Sequence, residues 1–270
     1  MRLLINHRTV YRYDHAPSFS AQVFRLTPRT NNSQHVLRWR ADAPGTMSQW
    51  TDAFGNTCHT LVVDDPPEHI EVRASGEVVT SDVNGILPWE KGDLPVEVYL
   101  RQTDQTEPDA AILDFFRGHE DALRADRLKG LHGVMEALHE TVEYETDTSD
   151  VLSTAREVFA AGRGVCQDHA HIFIGGLRAL GMPARYVSGY LYDGERPVPH
   201  AAGHAWAAAW VPDLGWVSFD VSNCKSGTDC HVSLVVGLDY DTAAPIRGVR
   251  TGGDEDEEME VHVSVSSAQQ

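Results

Sequence analysis

Ala161-Gly162-Arg163-Gly164-Val165-Cys166-Gln167-Asp168-His169-Ala170-His171-Ile172-Phe173 is the stretch on which the reading of this chain turns. Its two glycines break the preceding segment. From Val165 to Leu180, the residues Ile172, Phe173, Gly176, Leu177 and Leu180 then fall on one side of a helix that Gly181 and Pro183 terminate. Cys166 sits in the first turn of that helix. A thiol attacks as thiolate, and unpaired backbone N–H groups at a helix start favour the thiolate, so this position suits a nucleophile. The alternative for a single cysteine is a small buried hydrophobe. Gly162 and Gly164 allow a sharp loop and a close approach of a substrate backbone to the sulfur, while Gln167 and Asp168 suit capping and pairing with the helix dipole rather than catalysis.

A thiolate needs a general base, and the base needs an orienting acceptor. Downstream, Ala184 to Leu191, His204 to Val211, Gly215 to Asp220 and Val232 to Gly237 read as strands joined by Gly- and Pro-containing turns. A tight turn at Pro212-Asp213-Leu214-Gly215 pairs the second of these with the third, which brings His204 and Asp220 to the same open end of a hairpin. There an imidazole can face the thiolate with one nitrogen and donate the other N–H to the carboxylate. Taken singly, His204 reads as a strand histidine, Asp220 as a strand-end aspartate and Trp206 as packing; with Cys166 they read as one site. His169 is expected as a wall residue near the thiol and Trp206 as a wall of the cleft. A metal site is not expected. His169 and His171 point to different faces of the helix, and the His200 to His204 spacing crosses a Gly-containing loop.

These residues, with Gly164-Val165-Cys166-Gln167-Asp168-His169-Ala170-His171, Pro183-Ala184-Arg185-Tyr186-Val187-Ser188-Gly189-Tyr190, His204-Ala205-Trp206 and Gly215-Trp216-Val217-Ser218-Phe219-Asp220, resemble the bacterial transglutaminase-like family with an N-terminal β-rich domain. Tyr11-Arg12-Tyr13, Arg25-Leu26-Thr27-Pro28, Val236 to Asp241 and Pro245 to Gly248 extend the resemblance over nearly the whole chain. It implies a papain-like fold, a Cys-His-Asp triad on Cys166, His204 and Asp220, and no metal or other cofactor. Two positions depart from the family pattern: His169 stands where an aromatic such as Phe is usual, and Val221-Ser222 stands where Pro-Thr is usual.

Upstream, residues 1 to about 100 read as short strands: Leu3 to Tyr13, Ser20 to Thr27, Gln34 to Ala41, Met47 to Asp52, Thr57 to Val63 and His69 to Thr80. Turn chemistry at Ala43-Pro44-Gly45, Phe54-Gly55-Asn56 and Asp64-Asp65-Pro66-Pro67 separates them. Val96 to Arg101 reads as a further extended stretch. Helical periodicity begins near Pro108 and returns over Arg127 to Val142, Tyr144 to Ser149 reads as a polar loop, and a short helix runs to Ala161. The expected fold is α+β: an all-β, sandwich-like N-terminal domain over residues 1–105, then a papain-like core over 106–270 with helices packed on an antiparallel sheet.

The 270 residues have 41% apolar composition, and no apolar run approaches a membrane-spanning length. The run Met1 to Ile5 ends at Asn6-His7-Arg8, short of a signal-peptide core, so a cytoplasmic location is expected. A net charge of −18 without a basic cluster argues against nucleic-acid and anionic-membrane partners, and the run Asp254 to Glu258 reads as a solvated acidic loop. Cys58, Cys166, Cys224 and Cys230 form no zinc or redox spacing and are expected as free thiols, although Cys224 and Cys230 are near enough in sequence to bridge. The expected activity is acyl transfer through a thioester on Cys166, ending in hydrolysis of a peptide or protein amide. Gly164, His169 and Trp206 are the substrate-contact candidates. Transamidation and a non-catalytic binding module are the alternatives, and the triad itself does not separate water from amine as acceptor.

Overall fold

The computed structural model describes residues 1–87, 94–146, 148–194, 203–252 and 257–268. His200 and Asp254, Glu255 and Asp256 of the acidic run lie outside the described residues. Six strands open the chain, β1 (Arg2–Tyr13), β2 (Phe19–Thr27), β3 (Gln34–Asp42), β4 (Thr46–Thr51), β5 (Thr57–Asp64) and β6 (His69–Thr80), followed by a two-residue β7 (Ile86–Leu87). Four helices and two short strands come next: α1 (Ala110–Arg117), α2 (Glu120–Ala125), α3 (Arg127–Thr141), β8 (Glu143–Tyr144), α4 (Ala155–Ala161) and β9 (Arg163–Gly164). After α5 (Cys166–Ala179) run β10 (Ala184–Leu191), β11 (His204–Val211), β12 (Gly215–Asp220), β13 (Lys225–Ser226), β14 (His231–Gly237), α6 (Tyr240–Ala243), β15 (Ile246–Thr251) and β16 (Glu257–Ser267).

The first strands alternate buried and exposed positions, as a two-faced sheet requires; β2 buries Ser20, Gln22, Phe24 and Leu26 and turns the intervening residues outward. They form two four-stranded antiparallel sheets, in the orders β16-β1-β6-β3 and β15-β2-β5-β4. Leu3, Ile5, Ile70 and Val72 of the first sheet and Phe24, Leu26 and Leu61 of the second are almost fully buried in a common core.

The division expected at residue 105 differs at its far end. Residues 246–267, assigned to the core by chain order, belong to the N-terminal sheets: β16 pairs with β1 from Leu3↔Ser267 to Tyr13↔Glu257, and β15 with β2. A returning strand contacts partners more than 200 residues away, and its own pattern carries no mark of which sheet will take it. A second difference concerns Val96 to Arg101. Its alternation suggested a strand, but Val98 N–H donates to the Pro95 carbonyl and a 3-10 turn spans Val96–Leu100. That turn drives Tyr99 edge-on against Trp216, ring centroids 4.9 Å apart, and burial of the tyrosine outweighs β propensity in a five-residue segment.

The helices start where their caps direct. Asp109 accepts from Ile112 N–H at α1, Asp126 from Lys129 N–H at α3, and Thr154 and Glu157 form a reciprocal capping box at α4. Gly162, at φ 70°, ends α4 in the left-handed region that a side chain would resist. The segment expected as a loop from Tyr144 begins with a parallel bridge, Tyr144↔Gly164, that draws the end of α3 against the start of α5. α5 is buried along most of its length and packs on an antiparallel sheet of order β13-β12-β11-β10-β14, which β7 joins through β12. Among the described residues no helix is long and apolar enough to cross a membrane.

Candidate active site

Cys166 is the first residue of α5, partly buried, with extended Val165 as its N-cap. In that position its backbone N–H has no acceptor within the helix. Asp168, two residues on, is almost fully buried and turns back on the helix start: its Oδ2 accepts from Val165 N–H at 2.8 Å and from the Ser149 hydroxyl. Burial raises its carboxyl pKa above the ordinary value against the opposing pull of these two donors. Asp168 therefore belongs to the cap.

The hairpin β11–β12 closes at Pro212 to Gly215 with Trp210 opposite Trp216 and Ala207 opposite Phe219. This register carries His204 and Asp220 to one end of the sheet, where His204 Nε2–H donates to Asp220 Oδ2 at 2.9 Å. Cys166 lies close enough to the His204 side chain to act on its pKa. The three expected residues are thus brought together. Burial disfavours the charged imidazole, but the hydrogen bond to the Asp220 carboxylate and the interaction with Cys166 prevail, so the pKa of His204 rises from 6.5 to about 10. Asp220 is inaccessible to solvent. Desolvation works against its charge, yet donors hold its carboxyl far below the ordinary range.

His204 is the first of those donors, and three further groups to which the sequence reading gave no role also donate to the carboxylate. His231 Nε2–H donates to Asp220 Oδ2 at 3.0 Å, Asn223 Nδ2 to the same oxygen at 2.8 Å, and Ser222 Oγ to Oδ1 at 3.1 Å. Ser222 thus brings a hydroxyl at the position where the sequence departs from the family's Pro-Thr. His231 left one faint signal, a histidine opening an otherwise apolar strand as His204 does. Its partner could not be read, because between β13 and β14 the chain crosses from one edge of the sheet to the other.

Packing and hydrogen bonds define the surroundings of the three substrate-contact candidates. His169 is fully buried, and its two ring nitrogens lie 2.9 Å from the carbonyl oxygens of Val165 and Val142, so it joins the end of α3 to the start of α5. Gly164 is accounted for by the cap: a Cβ there would come within 2.8 Å of Asp168 Oδ2 and 2.7 Å of Val158. Trp206 is buried against both histidines, stacked on His204 with centroids 5.9 Å apart and edge-on to His231 at 5.2 Å. It fixes the imidazoles from inside the protein. His171 is also fully buried, its pKa lowered to about 4 by desolvation, and its Nε2 accepts from Tyr240 N–H at 3.0 Å.

Among the described residues, one group places metal-ligating atoms close together: His204, Asp220 and His231, all within 4.8 Å. The hydrogen bonds oppose that use. Thr228 N–H donates to His231 Nδ1 at 3.1 Å, which leaves the ring proton on Nε2, the very atom a metal would need bare. All four cysteines are free thiols.

Residues 3–79 match the bacterial transglutaminase-like N-terminal region, and residues 120–221 match the core of the transglutaminase-like superfamily. The chain is a bacterial transglutaminase-like protein. An uncharacterized protein of Mycobacterium leprae is 29% identical over 265 residues, covering 93% of this chain and 94% of its own length. A protein-glutamine gamma-glutamyltransferase of Pseudomonas aeruginosa is 36% identical over 69 residues, only 23% of this transglutaminase-like chain and 10% of that protein. A crystal structure from Cytophaga hutchinsonii, described as a "putative cysteine protease", superimposes with a TM-score of 0.75 at 20% identity and covers all of this chain and 91% of that one, which establishes the shared fold.

Proposed function

We propose that this transglutaminase-like protein is a cysteine hydrolase that cleaves peptide or other amide bonds through a thioester on Cys166. The observation that carries the proposal is the placement of His204, which donates to the buried Asp220 carboxylate at 2.9 Å and lies near enough to Cys166 at the start of α5 for the two side chains to interact. In the first half-reaction the thiolate attacks the amide carbonyl and an S–C bond forms. The Cys166 backbone N–H faces the developing oxyanion. The imidazolium of His204 then gives its proton to the leaving nitrogen as the C–N bond breaks. In the second, His204 takes a proton from water, hydroxide oxygen adds to the thioester carbonyl, and the S–C bond breaks to return the Cys166 thiolate and release the acid product. Asp220 holds the ring in the tautomer both steps need and balances its charge.

Hydrolysis is favoured over transamidation because water needs no second-substrate site. The test is mass-spectrometric trapping of an acyl group on Cys166 from a peptide and amide pool, with and without added primary amine. A trapped thioester released as free acid supports the proposal. Release only as the amine adduct replaces hydrolysis by transamidation, and turnover that survives Cys166→Ala overturns the assignment. Rapid iodoacetamide labelling of Cys166 that weakens in His204→Ala is the companion expectation, and labelling at the rate of a free thiol contradicts it.

A further inference from the structure

We infer that His231 is a fourth, positioning member of the proposed site, which holds the Asp220 carboxylate charged and aimed at His204 by donating to the same oxygen. The inference rests on the acyl-transfer reading of Cys166. His204 and His231 reach Asp220 Oδ2 at 2.9 and 3.0 Å, one from β11 and one from the start of β14. The direction of the second bond follows from its far side: a backbone N–H can only donate, so Thr228 N–H makes Nδ1 of His231 an acceptor and leaves the proton on Nε2. The ring therefore passes a hydrogen bond from the backbone, through itself, to a carboxylate with no access to solvent. A buried carboxylate without such donors would lose its charge or its aim.

The N-terminal module holds this ring in place on both sides of residue 231. Gln34 pairs with the backbone of Ser233 as another strand would, Nε2 donating to the Ser233 carbonyl and Oε1 accepting from its N–H, both at 2.8 Å. The Thr80 hydroxyl donates to the Asp229 carbonyl at 2.5 Å. Asp220 is faced by titratable groups from several elements: His204 and His231 bonded to it, Cys166 beyond His204, Tyr144 whose pKa the Asp220 charge helps to raise, and Lys225 opposite it in register. His139, bonded to the neighbouring Val221 carbonyl, completes the set. Of these, His204 and His231 both donate to Oδ2, and of those two His204 is the one on which Cys166 also acts.

The test compares His231→Leu with His231→Gln in the full chain. Gln can accept from Thr228 N–H and donate to Asp220, whereas Leu can do neither. The readout is the pH dependence of Cys166 alkylation. In His231→Leu the acid limb is expected to move up by about one pH unit, a roughly tenfold slower reaction at a pH on that limb, while His231→Gln keeps the wild-type limb. A merely structural role would lower the rate without moving the limb. An unmoved limb in His231→Leu, or the same displacement in His231→Gln, overturns the inference. Imidazole 1H–15N spectra of the wild-type protein give a check that needs no variant to fold: His231 is expected as the Nε2–H tautomer, and the Nδ1–H tautomer overturns the inference whatever the reactivity of Cys166. Wild-type alkylation at the rate of a free thiol, with the Nε2–H tautomer observed, would instead sink the acyl-transfer reading on which the inference stands.

Discussion

Along β11 the face toward α5 carries Ala205, Ala207 and Ala209, whereas the opposite face carries His204, Trp206 and Ala208. The first face is small and apolar, so the helix can lie close and deliver its first residue, Cys166, to the end of the strand. The second face meets the N-terminal module across a cavity of about 100 Å³ lined by polar and aromatic groups, among them Arg29, Arg185, Ser218, Trp206 and His231. Packing there is set by individual hydrogen bonds: Gln34 to Ser233, and Asn56 to both the N–H and the carbonyl of Val236. One face therefore stabilises through area, which tolerates exchange of apolar residues of similar volume. The other stabilises through donors and acceptors, which does not.

The two faces should answer substitution differently. The largest effect is expected at the meeting of the two faces: Cys166→Ala or His204→Ala should lower turnover by about 10³-fold or more, measured as initial rates on any amide the wild type cleaves. On the helix face, Phe173→Ala removes a fully buried ring that lies 5.3 Å from Phe219 and should destabilise by about 3–5 kcal/mol in urea titrations. On the module face, Gln34→Leu leaves the backbone of Ser233 without its partners and should cost about 1–3 kcal/mol, with loss of turnover beyond the loss of stability. If Gln34→Leu lowers stability and turnover in proportion, the module merely braces the sheet.

The pH response gives a further handle. Because the pKa of His204 is raised from 6.5 to about 10, its stabilising contribution is full below 6.5 and is lost as pH climbs to about 10. Turnover, which needs the imidazolium proton for the leaving nitrogen, should fall over the same upper limit, and the His204→Ala protein should lack this part of the stability profile. Asp220, shifted the other way, retains its contribution above the ordinary carboxylate range and surrenders it only in strong acid. The smallest effect is expected away from both faces, where Arg117→Ala removes an exposed pair with Asp114 and should change stability by less than about 0.5 kcal/mol.

Much of this architecture could be read from short-range pattern. The six leading strands, α3, α4 and α5 lie within a residue or two of where alternation, caps and glycine breaks placed them. The approach of His204 to Asp220 was legible for the same reason, since a tight turn fixes the register of both strands it joins. α2 was not anticipated; at six residues it buries one side chain, Leu123, too little to leave a periodic trace. The surroundings of His169 and Trp206 were not legible, because their partners, the Val142 carbonyl and the His231 ring, lie far from them in sequence.

What the sequence determined by itself was therefore local: where each helix and strand begins, which cysteine starts a helix, and which histidine and aspartate share a hairpin. Only the tertiary structure decided that residues 246–267 complete the N-terminal sheets and that His231 crosses the core sheet to share Asp220 with His204. The physical reason is common to both. Strand pairing and carboxylate sharing across a crossover are chosen by what burial leaves unpaired elsewhere in the chain, and a residue's own neighbours hold no record of that choice.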